Sequence, residues 1–179
     1  DTEVVLKGYQ FWGTSLFSKL DGQFAITILD LTKNKVILCR DKFGEKPLYY
    51  HVDKEKIIIG SELKIFKNFE NVNLRINETG LKKYFVYSFI PAPMTLYKNI
   101  YKVKHAQTIE INLTSKVISK NIYYNPLIKK NNNISDSELI ESLDAVMEKS
   151  VKSRLLSDSK IGVFLSGGLD SSLISFYAK

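Results

Sequence analysis

Residues 160–179 read KIGVFLSGGLDSSLISFYAK. An apolar run leads into two adjacent glycines, one acid and several hydroxyl side chains, and apolar residues then return at helical spacing. The pattern predicts a strand over 161–165, a glycine turn, and a helix that begins at about Ser171. Open α/β sheets bind ligands where a strand ends and the next helix begins. We therefore expect the start of an α/β nucleotide-binding domain, with a ligand at this turn.

The residue types of this turn suit an anion. Gly167 and Gly168 lack Cβ, so phosphate oxygens can approach the backbone amides, and the helix dipole attracts negative charge. Asp170 would repel a bare phosphate, which leaves two roles open: it holds Mg²⁺ beside the phosphates, or it caps the helix. The turn matches neither GxxxxGK nor GxGxxG. The alternative without a ligand is a Gly-Gly turn with an aspartate cap. The hydroxyl donors of the turn are Ser166, Ser171 and Ser172.

Upstream of this turn, the sequence predicts an antiparallel sheet domain. Residues 24–61 predict four consecutive antiparallel strands, and QTIEINL and KVISKNIYY predict two more. Asp1 and Asn77 can cap two helices. Either Asp136 or Ser137 can cap a long amphipathic helix that precedes the glycine turn. The predicted parts are a sheet domain over 1–125, a polar, Asn-rich linker over 126–135, and the opening of the α/β domain over 136–179.

Composition narrows the class of protein. The chain of 179 residues carries a net charge of +7, with 44% hydrophobic and 25% charged residues. Its lysines are scattered among acids, so a solvated Lys-rich surface explains the charge better than a nucleic-acid site, and we expect no nucleic-acid partner. No stretch is apolar enough for a membrane span. The single cysteine, Cys39, excludes a disulfide framework and favours the cytoplasm. Because the chain begins with Asp1, we expect an internal segment of a longer polypeptide.

The stretch VFLSGGLDSS resembles the PP-loop of ATP pyrophosphatases, in the form found in class B, glutamine-hydrolysing asparagine synthetases. The resemblance implies that this loop binds the pyrophosphate of ATP and that Leu165, at the strand end, contacts the nucleotide through its backbone. Of the two roles open to Asp170, we expect the binding of Mg²⁺. The residues that the resemblance assigns to the pyrophosphate are Ser166, Gly167, Gly168, Asp170, Ser171 and Ser172.

The upstream sequence is similar, in order and spacing, to the later half of class II glutamine amidotransferase domains. The matching stretches are DTEVVL, LDGQFAITILD, RDKFGEKPLYY and GSELKIF, and YSFIPAPMTLYKNI resembles the segment that follows them. This likeness implies an α+β fold: part of an N-terminal-nucleophile-type antiparallel sheet domain, followed by the start of an α/β PP-loop domain. It assigns the α-ammonium of glutamine to Asp1, although Asp1 can instead serve only as a helix cap.

Several upstream residues are expected to be structural rather than catalytic. Arg40 and Asp41 either pair beside the glutamine site or form a weak surface pair. Cys39 is expected to be a small buried hydrophobe. The nucleophile of the family is an amino-terminal cysteine with its own α-amine as base, and that residue would precede Asp1. The remaining residues expected to serve in packing, loop shape or the surface are Gly44, Pro47, His51, Ser61, Glu62, Lys64 and His105.

The resemblance implies a carbon–nitrogen ligase. Glutamine hydrolysis in the first domain would supply ammonia through a dry passage, and ATP would convert aspartate to β-aspartyl-AMP, from which ammonia forms asparagine. The implied partners are glutamine, aspartate and ATP, with Mg²⁺, and a homodimer of the full-length protein is left open. The alternatives are a related amidotransferase of β-lactam-forming or surface-sugar pathways, and a non-catalytic basic interaction module. The segment alone is expected to lack activity.

Overall fold

The computed structural model describes residues 1–128 and 134–179. The chain forms two compact units, Asp1–Pro126 and Leu127–Lys179, which we call the first and second units. No helix in the described ranges is long and apolar enough to cross a bilayer. The elements of the first unit are α1 (Thr2–Trp12), α2 (Leu16–Lys19), β1 (Ala25–Asp30), β2 (Lys35–Arg40), β3 (Tyr49–Val52), β4 (Ile57–Gly60), α3 (Glu78–Tyr87), β5 (Tyr101–Lys102), β6 (Gln107–Asn112) and β7 (Ile118–Ile122), with short 3-10 helices at Gly13–Ser15 and Leu63–Asn68.

Two antiparallel sheets build the first unit. One sheet has the strand order β1-β2-β6-β7 and the other has the order β4-β3-β5. The four strands predicted over 24–61 and the two later strands are confirmed, and their pairings are antiparallel. The first four strands divide between the two sheets, because residues 41–48 carry the chain from β2 to β3. Strand β5 was not predicted, since two residues are too few to show alternation.

Strand β2 is the centre of the larger sheet, and both of its faces are buried. Side chains alternate across a strand, so its odd and even residues enter different apolar clusters. Helices α1 and α2 cover one face, and the smaller sheet covers the other. On the helix side the buried members are Tyr9, Leu16, Phe17, Ile37 and Cys39. On the sheet side they are Val36, Leu38, Leu48, Tyr50, Val103, Ile109 and Ile111.

The segment after β4 packs through its apolar side chains rather than through its polar ones. The segment contains a 3-10 helix, Leu63–Asn68, and Phe66 within it is fully buried. The expectation that Ser61, Glu62 and Lys64 pack in the fold is wrong. All three are exposed, and Lys64 Nζ lies 2.6 Å from a Glu62 carboxylate oxygen at the surface. Ion pairs of this kind contribute little to stability.

Helix α4 of the second unit spans Asp136–Arg154, and its cap is one residue earlier than predicted. Ser135, rather than Asp136 or Ser137, is the N-cap. Its hydroxyl accepts the backbone N–H of Glu138 at 3.3 Å, and the Glu138 carboxylate accepts the backbone N–H of Ser135 at 3.0 Å. This reciprocal arrangement is a capping box. The capping box forms at Ser135 because Glu138, three residues later, supplies the carboxylate that it requires.

The last part of the second unit differs from its prediction in two ways. Residues 161–165 form no strand, because a strand requires a hydrogen-bonded neighbour and the described part of the chain provides none for this segment. Helix α5 spans Leu169–Tyr177, so it begins two residues before Ser171. Residues 129–133 of the predicted 126–135 linker lie outside the described residues.

Candidate functional site

A cavity of about 740 Å³ lies beside the amino end of α1 and along strand β1. Residues 25–29 of the strand form much of its apolar wall. The lining residues with charged side chains, within the described ranges, are Asp1, Asp21 and Lys46. A mainly apolar cavity with a few charged groups of both signs suits a small zwitterionic ligand such as an amino acid. We refer to it as the Asp1 cavity.

Asp1 caps helix α1, as predicted, and lines this cavity as well. Its Oδ1 atom accepts the Thr2 backbone N–H at 2.6 Å and the Thr2 hydroxyl at 3.3 Å. Both hydrogen bonds use the same oxygen, so capping leaves the second carboxylate oxygen for a ligand. The two roles considered for Asp1 are therefore compatible in this geometry.

Asp41 is buried immediately behind the cavity wall, and only 1% of its surface is exposed. Its carboxylate accepts four backbone N–H groups. The donors are Phe24 at 3.4 Å, Phe43 at 3.1 Å, Glu45 at 2.9 Å and Lys46 at 3.0 Å. Burial by itself would raise the pKa of Asp41, but these N–H donors outweigh burial and lower the pKa below its ordinary value.

Arg40 binds backbone carbonyl groups in the same loop. Its Nε donates to the Lys46 carbonyl at 2.7 Å, one terminal nitrogen donates to the Val103 carbonyl at 2.8 Å, and the other donates to the Gly44 carbonyl. Only 7% of the Arg40 surface is exposed. The alternative of a weak surface pair is therefore wrong for Arg40 and Asp41. The predicted loop-shaping role of Gly44 fits its φ of 70°, a backbone conformation that favours glycine.

The glycine bend before α5 brings its predicted residues together. Gly167 has a φ of 81°. Ser171 Oγ lies 3.0 Å from Ser166 Oγ and donates to the Gly168 carbonyl at 3.0 Å, while Ser172 Oγ donates to the same carbonyl at 2.8 Å. These bonds hold the serines on the inner side of the bend, next to the first turn of the helix.

The outer side of the bend is open to solvent. Residues 161–170 are all exposed, Leu165 among them, and a Cβ built on Gly167 would meet no atom within 4 Å. The capping role considered for Asp170 is wrong, because the N-cap of α5 is Gly168 and Asp170 lies in the first helical turn. In the described ranges no three His, Cys, Asp or Glu residues converge on a metal position. A magnesium ion at Asp170 would take its other ligands from phosphate and water, as Mg²⁺ commonly does.

Cys39 and His51 are structural, as expected. Cys39 is fully buried, and burial raises the pKa of its thiol, which disfavours the reactive thiolate. His51 contacts the Asn99 carbonyl through Nδ1 at 2.8 Å and the Asp53 carboxylate through Nε2 at 3.0 Å. His105 lies at the surface.

The sequence prediction missed the four-donor Asp41 site, although an acid three residues before a glycine is a sign of such a loop.

The first unit is an antiparallel domain with a mainly apolar cavity that a few charged residues line, and the second unit carries a glycine bend at the start of a helix. Residues 1–124 match the family model described as a glutamine amidotransferase domain. The chain therefore belongs to the glutamine amidotransferase domain family. Residues 142–179 match a second family model, described as asparagine synthase.

Curated relatives cover almost the whole chain. It is 36% identical over 181 residues to "Putative asparagine synthetase [glutamine-hydrolyzing] 2" of Methanocaldococcus jannaschii, covering 97% of this chain and 34% of the relative. It is 34% identical to "Asparagine synthetase [glutamine-hydrolyzing] 1" of Bacillus subtilis, covering 100% and 28%. The chain thus spans about a third of the length of these relatives. A solved structure, the glutamine phosphoribosylpyrophosphate amidotransferase of B. subtilis with ADP and GMP, is similar with a TM-score of 0.42 and 11% identity over 94% of this chain and 33% of that one.

Proposed function

We propose that the polypeptide carrying this chain is an ATP-dependent ligase that makes asparagine from aspartate with ammonia taken from glutamine. The observation that carries the proposal is the exposed glycine bend at the start of α5, in a chain whose first 124 residues belong to a glutamine amidotransferase family. The names of the two curated relatives support it. In this proposal residues 1–125 are part of the glutaminase domain, residues 126–135 are a linker, and residues 136–179 open the synthetase domain.

Glutamine binds in the Asp1 cavity. The second carboxylate oxygen of Asp1 accepts the α-ammonium of glutamine in a charge-assisted hydrogen bond, while Oδ1 keeps its capping bond to Thr2. The apolar wall along β1 excludes water from the rest of the substrate. Hydrolysis of the side-chain amide there releases ammonia for the second reaction.

ATP binds at the glycine bend. The backbone amides of Gly167 and Gly168 and the Ser166 hydroxyl receive the β- and γ-phosphates, and the amino end of α5 adds its dipole. The hydroxyls of Ser171 and Ser172 join them by turning away from the Gly168 carbonyl, to which they donate in this structure. Leu165 contacts the nucleotide through its backbone. An oxygen of the aspartate side chain attacks the α-phosphorus, pyrophosphate leaves, and ammonia then attacks the acyl carbon of β-aspartyl-AMP and displaces AMP. Mg²⁺, held at Asp170, would neutralise the phosphates.

The test replaces Asp170 by alanine in the full-length polypeptide. We expect the Asp170→Ala variant to lose ATP-dependent formation of asparagine and pyrophosphate and to hydrolyse glutamine at the unmutated rate. Asp158→Ala, a change at another exposed aspartate of the second unit, is the control and should leave both activities unchanged. Release of pyrophosphate by Asp170→Ala at the unmutated rate would reject the loop assignment. Formation of AMP without asparagine would point to a different carboxylate acceptor.

We further propose that the protein acts in the cytoplasm without a nucleic-acid or membrane partner. The buried, reduced Cys39 suits a reducing compartment. The lysines are dispersed, which supports a solvated surface rather than a nucleic-acid site. A homodimer is compatible with this function and is not required by it. Binding of RNA that weakens steeply with added salt would contradict the proposal.

A further inference from the structure

We propose that Asp41, together with Arg40, is a positioning residue for glutamine, because the two side chains fix the part of the Asp1 cavity wall formed by Phe24 and Lys46. This inference rests on the proposed glutaminase function of the first unit. It adds a role that the sequence left undecided, since Arg40 and Asp41 touch the wall from behind and are not among the residues that line the cavity.

The carboxylate of Asp41 joins two chain segments that are far apart in sequence. One oxygen, Oδ2, accepts the backbone N–H of Phe24 at the start of β1 and the backbone N–H of Lys46 in the following loop. The backbone reinforces this link, because the Asp41 N–H donates to the Phe24 carbonyl at 3.0 Å. Phe24 and Lys46 are both lining residues of the Asp1 cavity. A single buried oxygen therefore sets the spacing of two points on the wall.

Hydrogen bonds hold Lys46 at both its backbone N–H and its backbone carbonyl. Its N–H donates to Asp41 Oδ2 at 3.0 Å, and its carbonyl accepts Arg40 Nε at 2.7 Å. Both partners are charged, and hydrogen bonds to charged groups are stronger than neutral ones. Lys46 is also the one lysine or arginine that lines the cavity among the described residues. Its backbone position fixes where its side chain starts beside the cavity.

The Arg40 side chain also packs closely against the loop that carries Lys46. A Cβ built on Gly44 would lie 2.9 Å from Arg40 Cζ, so the guanidinium group fills the space inside the loop. The other Asp41 oxygen, Oδ1, accepts the N–H groups of Phe43 and Glu45 and closes the loop around the acid. The neighbouring turn is fixed as well, because the Ala106 N–H donates to the Asp41 carbonyl at 2.8 Å.

A merely structural role would affect stability without affecting glutamine in particular. The hairpin between β3 and β4 offers a matched comparison, because Asp53 Oδ1 accepts the backbone N–H groups of Glu55 and Lys56, each at 2.8 Å. Asp53 therefore closes a loop by the same chemistry as Asp41, but it belongs to the other sheet and does not line or support the Asp1 cavity.

The experiment compares Asp41→Asn with Asp53→Asn in the full-length polypeptide. Asparagine replaces one carboxylate oxygen of Asp41 by an NH₂ group. The two backbone N–H groups that donate to that oxygen would then face another donor and lose their hydrogen bonds. We expect Asp41→Asn to raise the KM for glutamine by about tenfold or more, which corresponds to about 1.4 kcal/mol at 25 °C. The kcat for glutamine hydrolysis should change less than KM, and asparagine formation from added ammonia should stay unchanged. Asp53→Asn should leave the KM for glutamine unchanged.

A KM in Asp41→Asn that equals that of the unmutated protein, or of Asp53→Asn, overturns the inference. If Asp41→Asn does not fold, Arg40→Lys decides, because lysine keeps the charge but cannot reach three carbonyls in one plane. A raised KM in Arg40→Lys supports the role, and an unchanged KM overturns it.

Asp1→Asn separates this inference from the proposed function. If Asp1→Asn also leaves the KM unchanged, the glutamine site itself is wrongly assigned; if it raises KM while Asp41→Asn does not, only the positioning role fails.

Discussion

The two units of this chain differ in how much apolar surface they bury. In the first unit, helices and two sheets enclose three clusters of buried side chains. In the second unit, neither α4 nor α5 contains a buried residue, and the apolar positions of α4 at Leu139, Ile140 and Leu143 are more than half exposed. Burial of apolar surface is the main source of folding stability. The first unit therefore has a core of its own, and the second has helices without one.

The candidate sites differ in the same way. The wall of the Asp1 cavity is held from behind by a carboxylate and a guanidinium group that are almost fully buried. Among the described residues, the glycine bend is held by local bonds of Ser166, Gly168, Ser171 and Ser172, all within seven residues of chain. A site supported by a packed core is fixed before its ligand arrives. The bend has the residue types of a phosphate site, and the described chain supplies little packing behind it.

The largest expected effect tests this difference with two matched phenylalanines. Phe17 is fully buried in the first unit, and Phe176 is 71% exposed in the second. We expect Phe17→Ala to lower the free energy of unfolding by about 3–5 kcal/mol. Phe176→Ala should change it by less than about 1 kcal/mol. Urea unfolding followed by circular dichroism measures both. Equal losses would mean that Phe176 is packed as tightly as Phe17, which would contradict the difference in burial between the units.

The second effect compares two glycines at helix starts. A Cβ on Gly80, in the first turn of α3, would lie 2.6 Å from the backbone carbonyl oxygen of Thr95, which cannot move aside. We expect Gly80→Ala to cost about 1–3 kcal/mol of stability, as overpacking usually does. The nearest atom to a Cβ on Gly168 is Ser166 Oγ at 3.6 Å, and its φ of −78° suits alanine. Gly168→Ala should therefore cost less than about 1 kcal/mol in the same unfolding measurement. A larger loss for Gly168→Ala would show that the bend is packed.

Sequence reasoning succeeded where the deciding signal is local. Periodicity predicted the strands of the first unit apart from β5, and Asn77 caps α3 as expected, with its side chain accepting the Gly80 N–H at 3.2 Å. The bend was placed correctly because two glycines, an acid and serines stand together in the sequence. The cap of α4 was misplaced by one residue, because Ser135, Asp136 and Ser137 are all good caps and only the position of the next glutamate separates them.

The failures concern interactions between distant parts of the chain. The division into two sheets depends on β2 pairing with β6 rather than with β3. The residues of these strands do not indicate which partner β2 takes. The role of Asp41 depends on Phe24 and on the turn at Ala106, which become its neighbours only after folding. From sequence, an arginine and an aspartate at a strand end are typical of a surface pair. Burial decides otherwise, and burial is a property of the whole fold.

The next prediction concerns the pH dependence of stability in the first unit. In the first unit, the backbone N–H of Lys56 is the largest influence that lowers the pKa of Asp53 to about 2; burial opposes it, and the His51 hydrogen bond assists. A carboxyl group whose pKa is lowered by folding stabilises the fold above its unfolded value of 3.8, and this contribution is lost as the pH falls towards 2. We expect the stability of the first unit to fall over this range and to fall less steeply in Asp53→Asn. Equal slopes in urea unfolding at pH 5, 4, 3 and 2 would contradict this assignment.

The smallest expected effect concerns the capping box of α4. This helix has no buried residue, so tertiary packing contributes little to its stability. Its N-cap should therefore contribute a larger fraction of the helix stability than an N-cap contributes in the first unit. We expect Ser135→Ala to destabilise the helix by about 1 kcal/mol, visible as lower helicity in a peptide of residues 134–155. Ser137→Ala is the control and should lose less, because its hydroxyl contacts Ser135 rather than a backbone N–H. In the complete chain Ser135→Ala should leave the unfolding of the first unit unchanged. If it shifts that transition, the stability of the first unit depends on α4, and the contrast between a unit with a core and helices without one no longer holds.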